Sequence, residues 1–363
     1  MLHKTKSIAI CAVVLSAIVG ISAISTVDAQ SNSVPSWIKN IAGFWADGQT
    51  TDADFLNAIE YLVDNGLIKT GGSQSLDVDT LTIGFIPVEK ADELTPKAEE
   101  LAKFLEDRLP GVDVKIVVPS NYETIIEGMR FGHIDAAFMD TGPAWITHQR
   151  TGAEAILAEV VGGQINYQAT VWAKIDDNSI KTVEDTLGKR VAFTSITGSS
   201  GFVRPMGALV TSGAVDVQGD DIIALEKALS NSFKAHTFAG GYKAALELLI
   251  NGNVDAAFGS DIAATKYLEP ADQAKIKAVA TIGPVPSHVV MVSADMSDNT
   301  KEALRDALIE LNYNENNAIL TDLYGAEALL PTTTEQHIGD FGKYLDALTG
   351  LDQVILDKYN KSK

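Results

Sequence analysis

Five hydroxyl side chains fall within seven consecutive positions of this sequence. They stand in the stretch TSITGSS, residues 194–200, which is followed by a glycine and the helix-like run FVRPMGALV. Hydroxyl groups, glycine backbone and the first N–H groups of a helix are donors that bind a small anion without a positively charged side chain. A helix cap needs only one such hydroxyl, so the density here favours an anion-binding turn. Its candidate ligand contacts are Thr197, Ser199, Ser200 and Gly201.

Three further turns before helix-like segments carry the same kinds of donor. The sequence DTGPAW supplies Thr141 and Gly142, with a proline that fits a first helical turn. The sequences SNYETIIEG and FAGGYKAALELL place Tyr122 and Tyr242 at helix starts. Capping alone explains any one of these turns, and each tyrosine ring would equally fit a core position with only its hydroxyl wetted. The recurrence at four helix starts favours a shared anion site.

The two tyrosines belong to a sequence repeat. The segment from Tyr122 to Phe138 matches the segment from Tyr242 to Phe258, and the copies end in GHIDAAF and GNVDAAF. In each copy a strand-like run precedes the helix that starts at the tyrosine, and a short apolar strand follows the helix. This order predicts one βαβ unit in each half of the chain. Two such units predict two similar α/β lobes with a cleft between them.

Strand-like and helix-like runs alternate through most of the chain, starting with LTIGFIPVEK. This alternation is typical of α/β layers with mostly parallel sheets, in which ligands bind beyond the carboxyl ends of the strands. We predict one lobe from residues 80–168 and 290–350 and a second lobe from residues 169–289. Chain crossings near Tyr167–Ala173 and Ser287–Val292 are expected to form the hinge.

The N-terminal part is predicted to lie outside this α/β body. Residues 1–29 combine two lysines, an apolar run and small residues before Ala29, as in a secretory signal peptide cleaved near that residue. The apolar run of about 18 residues would also fit a retained membrane anchor. Residues 34–70 are predicted to form a small helical module, similar to a Trp-rich module attached to many archaeal extracytoplasmic proteins, and residues 71–79 a linker.

Composition limits the chemistry and the partners. The only cysteine, Cys11, lies in the predicted signal peptide, so the cleaved chain would have no disulfide, thiolate metal site or cysteine nucleophile. The formal net charge is −20, and removal of residues 1–29, with two lysines and one aspartate, leaves −21. Such a charge repels nucleic acid and anionic membrane surfaces. Neither a nucleic-acid partner nor a cofactor is expected.

Two other classes of function have weaker support. A hydrolase or transferase needs a nucleophile and a base, but no G-x-S-x-G or H-E-x-x-H motif occurs in the sequence. A metal-ion receptor would need a group such as Tyr122, Tyr242 and Asp261. Lys243, next to Tyr242, is a further ligand candidate. The other basic or imidazole side chains near the turns are expected to be solvated: His148, His236 and Arg204.

Taken together, the motifs resemble the phosphate/phosphite/phosphonate-binding proteins, which are solute receptors of ABC importers. The resemblance covers about residues 80–350 and is carried by LTIGFIPVEKADELTPKAEELAKFLEDRL, SNYETIIEGMRFGHIDAAFMDTGPAW, TLGKRVAF, SSGFVRP and GGYKAALELLINGNVDAA. It implies a type II periplasmic-binding-protein fold, in which two hinged α/β lobes close on one small oxyanion in a central cleft. It also implies an extracytoplasmic location, a membrane permease and an ATPase as partners, and no enzymatic activity.

The resemblance assigns roles to individual residues. The positions that match the family's ligand contacts are Tyr122, Gly142 of a Gly-Pro turn, Ser199, Ser200, Tyr242 and, for an acidic cleft position, Asp261. Gly198 stands where the family has a first serine, and Thr197 beside it is expected to substitute. Tyr242 stands where the family has a histidine, and a tyrosine donates a hydrogen bond without carrying a charge at neutral pH.

The ligand stays open between phosphate, phosphite and a phosphonate. All of them present three oxygens to donors and differ in the fourth substituent. A receptor that selects phosphate over sulfate needs an acceptor for the ligand's proton, and one that selects an aminoalkyl phosphonate needs carboxylates near the ammonium group. Glu89, Asp140 and Asp261 are candidates for either role.

Overall fold

The computed structural model describes Trp45, Thr51 and residues 76–85, 91–119, 121–313 and 316–357. Residues Met1–Ser73 and Gln74–Lys363 form two compact units, and the predicted α/β body belongs to the second. The predicted signal peptide, nearly all of the predicted module at 34–70, residues 71–75 of the predicted linker, and Glu89 lie outside the described residues. In the part of the chain that is described, no helix is both long enough and apolar enough to cross a bilayer.

Among the described residues, the second unit contains two mixed β-sheets. The strands are β1 (Thr80–Phe85), β2 (Asp113–Val117), β3 (Ala136–Met139), β4 (Glu154–Val160), β5 (Asn166–Lys174), β6 (Arg190–Phe193), β7 (Ala235–Phe238), β8 (Ala256–Ser260), β9 (Ile276–Pro286), β10 (Val289–Val292) and β11 (Ala328–Pro331). The first sheet has the order β11-β4-β10-β3-β1-β2, and the second has the order β7-β6-β8-β5-β9. β10 is antiparallel to both its neighbours, and so is β5.

Helices connect most of the strands. They are α1 (Ala91–Glu106), α2 (Tyr122–Arg130), α3 (Thr141–Thr151), α4 (Arg204–Thr211), α5 (Ile222–Ser232), α6 (Tyr242–Ile250), α7 (Ala263–Tyr267), α8 (Pro270–Gln273), α9 (Asp298–Ile309), α10 (Asn317–Tyr324), α11 (Asp340–Asp346) and α12 (Leu351–Asp357). Short 3₁₀ or π turns cover Glu184–Thr186, Ser199–Val203, Glu310–Asn312 and Glu335–Gly339.

The sequence repeat forms the same unit in both sheets, which confirms the prediction of two similar α/β lobes. β2–α2–β3 flanks β1 with parallel strands, and β7–α6–β8 flanks β6 in the same way. The aspartate of the repeat has one role in both copies. Asp135 Oδ2 accepts the N–H of Thr82 at 2.7 Å, and Asp255 Oδ2 accepts the N–H of Arg190 at 2.9 Å. The repeated aspartate therefore ties β1 to β3 in the first sheet and β6 to β8 in the second.

The chain passes between the sheets at two places. The first crossing lies between β4 and β5, and the second consists of Ser287 and His288, between β9 and β10. The first crossing precedes the predicted segment Tyr167–Ala173, which lies inside β5. The sheets also shift the predicted lobe boundaries: Asn166–Gln168 pair with β9 in the second sheet, and Val289 pairs with β3 and β4 in the first.

The two crossings are bonded to each other. The N–H of Ser287 donates to the carbonyl of Ile165 at 2.9 Å, and the N–H of Glu159 donates to the carbonyl of His288 at 3.0 Å. The second crossing therefore continues the sheet pairing between the two lobes. Side chains on Ser287, His288 and Glu159 are held at the junction by these backbone bonds.

Helix α11 packs against a helix of each lobe. A Cβ on Gly342 would lie 2.1 Å from the ring of Trp145 in α3, and the indole nitrogen of Trp145 donates to Asp346 at 2.8 Å. A Cβ on Gly207 in α4 would lie 2.5 Å from the Cβ of Tyr344. Glycine at these two positions therefore lets α11 approach both helices closely.

The close contact at α4 predicts a specific loss of stability. Gly207→Leu should lower the free energy of unfolding by about 1–3 kcal/mol, because its side chain would overlap both the Cβ and the carbonyl oxygen of Tyr344. Urea unfolding followed by circular dichroism measures the change. Thr211→Leu adds bulk at an exposed position of the same helix, and an equal loss in both variants would contradict the packing argument.

Candidate functional site

The turn after β6 is built around a buried threonine. The chain makes a π-helical turn at Ser199–Val203 that runs directly into α4. Thr194 lies against this turn and is 5% exposed. A Cβ on Gly198 or Gly201 would come within 2.4 Å or 2.0 Å of the Thr194 Oγ1. The glycines therefore let the turn close over Thr194, so Gly201 shapes the site through its lack of a side chain.

Ser200 forms a hydroxyl cluster with Tyr167 and Tyr242. The Ser200 Oγ lies 2.8 Å from the Tyr242 hydroxyl, and both residues influence the pKa of the neighbouring Tyr167. Burial raises the pKa of Tyr167 well above its ordinary value, and the neighbouring Tyr242 raises it further, whereas the hydrogen bond with Ser200 acts in the opposite direction. Tyr167 therefore remains a neutral phenol able to donate a hydrogen bond.

Thr197 and Ser199 add two half-buried hydroxyls on the same turn. Within the described ranges, neither side chain has a hydrogen-bond partner. Their positions precede the fully buried Ser200 and the first turn of the following helix. The turn thus presents donors that its own structure does not use, as expected for the predicted contacts of an anion.

In the first lobe, Tyr122 reaches Asp140. Asn121 caps α2 by accepting the N–H of Thr124 at 2.8 Å, and Tyr122 is the first residue of that helix. Its ring is 1% exposed in the core, while its hydroxyl donates to Asp140 Oδ2. The two alternatives for this tyrosine are therefore compatible: the ring packs inward and the hydroxyl reaches a polar group at the end of β3.

A carboxylate–imidazole chain of Asp140, His288 and Glu159 continues from this contact. The His288 Nε2 lies 2.9 Å from Asp140 Oδ1, and its Nδ1 lies 3.3 Å from Glu159 Oε2. The side chains are 24%, 40% and 1% exposed for Asp140, His288 and Glu159. Glu159 Oε1 is buried without a hydrogen-bond partner among the described residues. His288 therefore links the buried carboxylate of Glu159 to the carboxylate of Asp140, which solvent reaches.

The charge of His288 follows from these two neighbours. Burial lowers the pKa of the imidazole, but the hydrogen bonds and negative charges of Asp140 and Glu159 outweigh it and hold the pKa well above the ordinary 6.5. His288 is therefore an imidazolium at neutral pH, with both N–H groups donated to carboxylates. It fixes the orientation of Asp140 from the second chain crossing.

Asp140 couples the two lobes. Its negative charge helps to raise the pKa of Tyr167, which places the first-lobe carboxylate within electrostatic range of the hydroxyl cluster in the second lobe. The structure places Ser200 against Tyr242 and Tyr122 against Asp140, and a shared site for all of them stays a prediction. Three neighbours of these residues were not singled out as contacts in the sequence: Tyr167, His288 and Glu159.

Three other predicted residues are Thr141 and Asp261, which have hydrogen-bond partners within the protein, and Gly142, which is buried. The Thr141 hydroxyl donates to the carbonyl of Pro286 at 2.9 Å, so it already has a partner within the protein. Gly142 is buried in the first turn of α3. Asp261 is exposed, and its Oδ1 accepts the N–H groups of Gln168 at 3.2 Å and Ile262 at 3.1 Å. Ligand contact by these residues stays a prediction.

The expectation that Arg204 is solvated is wrong. Arg204 is 5% exposed, and its guanidinium pairs with Asp340 at 2.7 Å. His148 and His236 are half-buried, so they are less solvated than expected. Lys243 is exposed and lies 3.9 Å from Glu247 on its own helix, which gives no support to a role as a ligand contact.

A metal site has no support within the described ranges, where no three His, Cys, Asp or Glu side chains are arranged to hold an ion. The two ring nitrogens of His288 face different carboxylates, so Asp140, His288 and Glu159 do not converge on one point. The site consists of hydroxyl donors and one accessible carboxylate, held by two lobes. That geometry fits a small solute with oxygen atoms that accept hydrogen bonds.

Residues 83–337 match the model of the family described as "ABC transporter, phosphonate, periplasmic substrate-binding protein". The chain belongs to this family. Its members are transport receptors located outside the cytoplasm. The family match confirms the resemblance seen in the sequence. The matched residues include both copies of the repeat, both chain crossings and the whole of the site from Tyr122 to His288.

Individual relatives differ in what their names say they carry. The chain is 32% identical to the phosphate-import protein PhnD of Mycolicibacterium smegmatis over 52% of this chain and 58% of the relative. It is 25% identical to the phosphonates-binding periplasmic protein of Escherichia coli over 67% of this chain and 70% of the relative. The match therefore spans less than two thirds of the mycobacterial protein.

A solved structure confirms the fold. XAC2383 from Xanthomonas citri, determined with ATP bound, superposes with a TM-score of 0.58 over 74% of this chain and 98% of that chain, at 17% sequence identity. A likeness at this identity concerns the arrangement of the two lobes. It says nothing about which ligand this chain binds.

The raised pKa of His288 predicts how stability depends on pH. The imidazolium's contribution to the free energy of unfolding is complete below the ordinary pKa of 6.5 and is lost as pH rises through the higher folded-state pKa. Urea unfolding from about pH 6 to about pH 9 should therefore show a decline in wild type. His288→Asn should show a shallower decline, and parallel curves would contradict the ion pairing.

Proposed function

We propose that this chain is the solute receptor of an ABC importer and that it binds phosphate or a phosphonate between its two lobes. The observation that carries the proposal is a pair of polar contacts, one in each lobe: Tyr122 with Asp140 in the first and Ser200 with Tyr242 in the second. The charge of Asp140 also acts on the pKa of Tyr167 in the second lobe. Membership of a family of transport receptors supports the role. The partners are then a membrane permease and an ATPase, because a solute receptor binds the solute and other subunits move it across the membrane.

The donors suit an oxyanion. Ser200, Tyr167 and Tyr242 supply neutral hydroxyls from the second lobe, with Thr197 and Ser199 on the adjoining turn. The N-termini of α2, α3 and α6 add the positive ends of helix dipoles, each worth about 0.3–1 kcal/mol when exposed and up to ~2 kcal/mol when partly buried. These three terms and several hydrogen bonds of about 0.5–1.5 kcal/mol each together reach the range of micromolar affinity, ~8 kcal/mol.

The ligand class narrows to phosphorus oxyanions through the relatives. One relative is named for phosphate import and another for phosphonates. Both ligands present the three oxygens that the hydroxyl cluster and the turn would bind, and they differ in a fourth group. The receptor is located outside the cytoplasm, delivered by a signal peptide that is cleaved near Ala29 or kept as an anchor.

The mechanism is closure about the two crossings. Because the chain passes between the sheets at the two paired crossings, a ligand that binds donors on both lobes favours the closed arrangement. The importer then distinguishes the closed, loaded receptor from the open one. Ligand binding and lobe closure are one equilibrium in this scheme.

Loss of the two serines tests the site. A ligand at 100 times its Kd stabilises the folded protein by about 2.7 kcal/mol, which raises the melting temperature. Phosphate and methylphosphonate should raise it for wild type and for the control Ser230→Ala, an exposed serine on α5. The double variant Ser199→Ala with Ser200→Ala should lose the shift while melting as one folded species. An undiminished shift would place the ligand elsewhere.

Closure predicts a change in dimensions. Small-angle scattering of wild type should show a smaller radius of gyration with saturating phosphate or methylphosphonate than without it, because the lobes approach each other on binding. The double serine variant, measured in the same buffers, should show no change. Equal dimensions for wild type with and without a bound ligand would contradict the hinge mechanism.

A further inference from the structure

The ring of Tyr242 has two close neighbours in the second lobe. A Cβ on Gly259, in β8, would lie 3.2 Å from Cδ1 and 3.6 Å from Cε1 of Tyr242, so the ring packs against bare backbone there. The ring of Tyr267 stacks on the Tyr242 ring, with centroids 5.8 Å apart and planes inclined by 12°. Tyr267 is the last residue of α7. Strand β8 and helix α7 therefore hold the Tyr242 ring in common.

The two copies of the repeat differ at the positions that make these contacts. Continued to the next residue without a gap, the alignment places Met139 opposite Gly259. At the same spacing, Thr147 stands opposite Tyr267. In the first lobe the Thr147 hydroxyl donates to the sulfur of Met139 at 3.5 Å, and both side chains are buried. The second copy instead leaves space beside the strand and supplies an aromatic ring that stacks on its tyrosine.

Tyr242 needs such neighbours because its own helix does not fix its side chain. It is the first residue of α6, so it lacks the preceding helical turn that normally excludes one χ1 rotamer. Tyr122, at the matching position of the first copy, is held by the core, because its ring is 1% exposed. The Tyr242 side chain is only half-buried. Its orientation therefore depends on Gly259 and Tyr267.

We propose that Tyr267 is a positioning residue of the candidate site, which holds the Tyr242 ring so that the Tyr242 hydroxyl meets both Ser200 and the bound oxyanion. The inference rests on the proposed function and adds a residue to its site. The Tyr242 hydroxyl lies 2.8 Å from the Oγ of Ser200, which is fully buried. A ring that leaves the stack carries its hydroxyl away from this partner. A hydroxyl that is oriented in advance loses less conformational entropy when the ligand binds.

The role uses the ring of Tyr267 and not its hydroxyl. The side chain is 38% exposed, and none of the residues that the structure describes hydrogen-bonds to its hydroxyl. Lys266 lies 5.6 Å from the ring centroid, which adds a cation–π contact to the stack. Tyr267→Phe should therefore keep the wild-type affinity, whereas Tyr267→Ala should not.

Calorimetric titration with phosphate and with methylphosphonate tests the role. Tyr242→Phe removes one hydroxyl and should weaken binding about 2- to 12-fold, the range for one hydrogen bond. Tyr267→Ala should weaken it by about 2- to 10-fold and by no more than Tyr242→Phe does, because it acts through that hydroxyl. The matched control Tyr313→Ala removes a tyrosine that is 61% exposed in the first lobe, and it should bind as wild type does.

The double variant Tyr242→Phe with Tyr267→Ala separates positioning from a general structural role. If Tyr267 acts through the Tyr242 hydroxyl, the double variant should bind as Tyr242→Phe does alone. Losses that multiply would show that the Tyr267 ring supports the lobe in another way, and they would overturn the inference. If Tyr267→Ala does not fold, Tyr267→Leu keeps apolar bulk without an aromatic face and takes its place in the same comparison.

The outcomes also distinguish this inference from the proposed function. Wild-type affinity in either Tyr267→Ala or Tyr242→Phe overturns the inference and leaves the oxyanion receptor intact. Wild type that binds neither phosphate nor methylphosphonate overturns the proposed function itself. Single losses that do not multiply in the double variant, together with wild-type affinity in Tyr267→Phe, support both.

Discussion

The paired charges of Glu159, His288 and Asp140 are the interaction on which the candidate site depends. They lie where the chain returns from the second sheet to the first, so they are anchored by the backbone bonds of the crossing. A buried carboxylate with one unpaired oxygen is costly unless a cation compensates it. His288 supplies that cation, and Asp140 takes the remaining N–H. The hinge and the site are therefore built from the same residues.

The two lobes have similar folds, but they place different polar groups next to these charged residues. The repeat places a tyrosine at the start of α2 and of α6, and an aspartate that ties β1 to β3 and β6 to β8. Tyr122 meets a carboxylate, whereas Tyr242 meets Ser200 and Tyr167. The shared aspartates preserve the architecture, and the partners of the two tyrosines distinguish the faces. One lobe offers an acceptor and the other offers donors.

The polar side chains of the candidate site form hydrogen bonds with each other. Ser200 hydrogen-bonds with Tyr242, and Tyr122 hydrogen-bonds with Asp140. A solute must exchange these bonds for its own, so its net gain is smaller than the sum of its contacts.

The sequence by itself determined the alternation of strands and helices, the two related lobes, and the helix starts that carry Ser199, Ser200, Tyr122 and Tyr242. These features follow from local periodicity, turn chemistry and a repeat, which a linear pattern records. The carboxylate–imidazole contacts and the pairing of the buried Arg204 with the exposed Asp340 were decided only by the tertiary structure. Their members come from distant segments, and nothing local marks His288 as the partner of Asp140 and Glu159. Which side chains meet depends on strand order and on the crossings, because the sheets bring β3, β4 and β10 side by side.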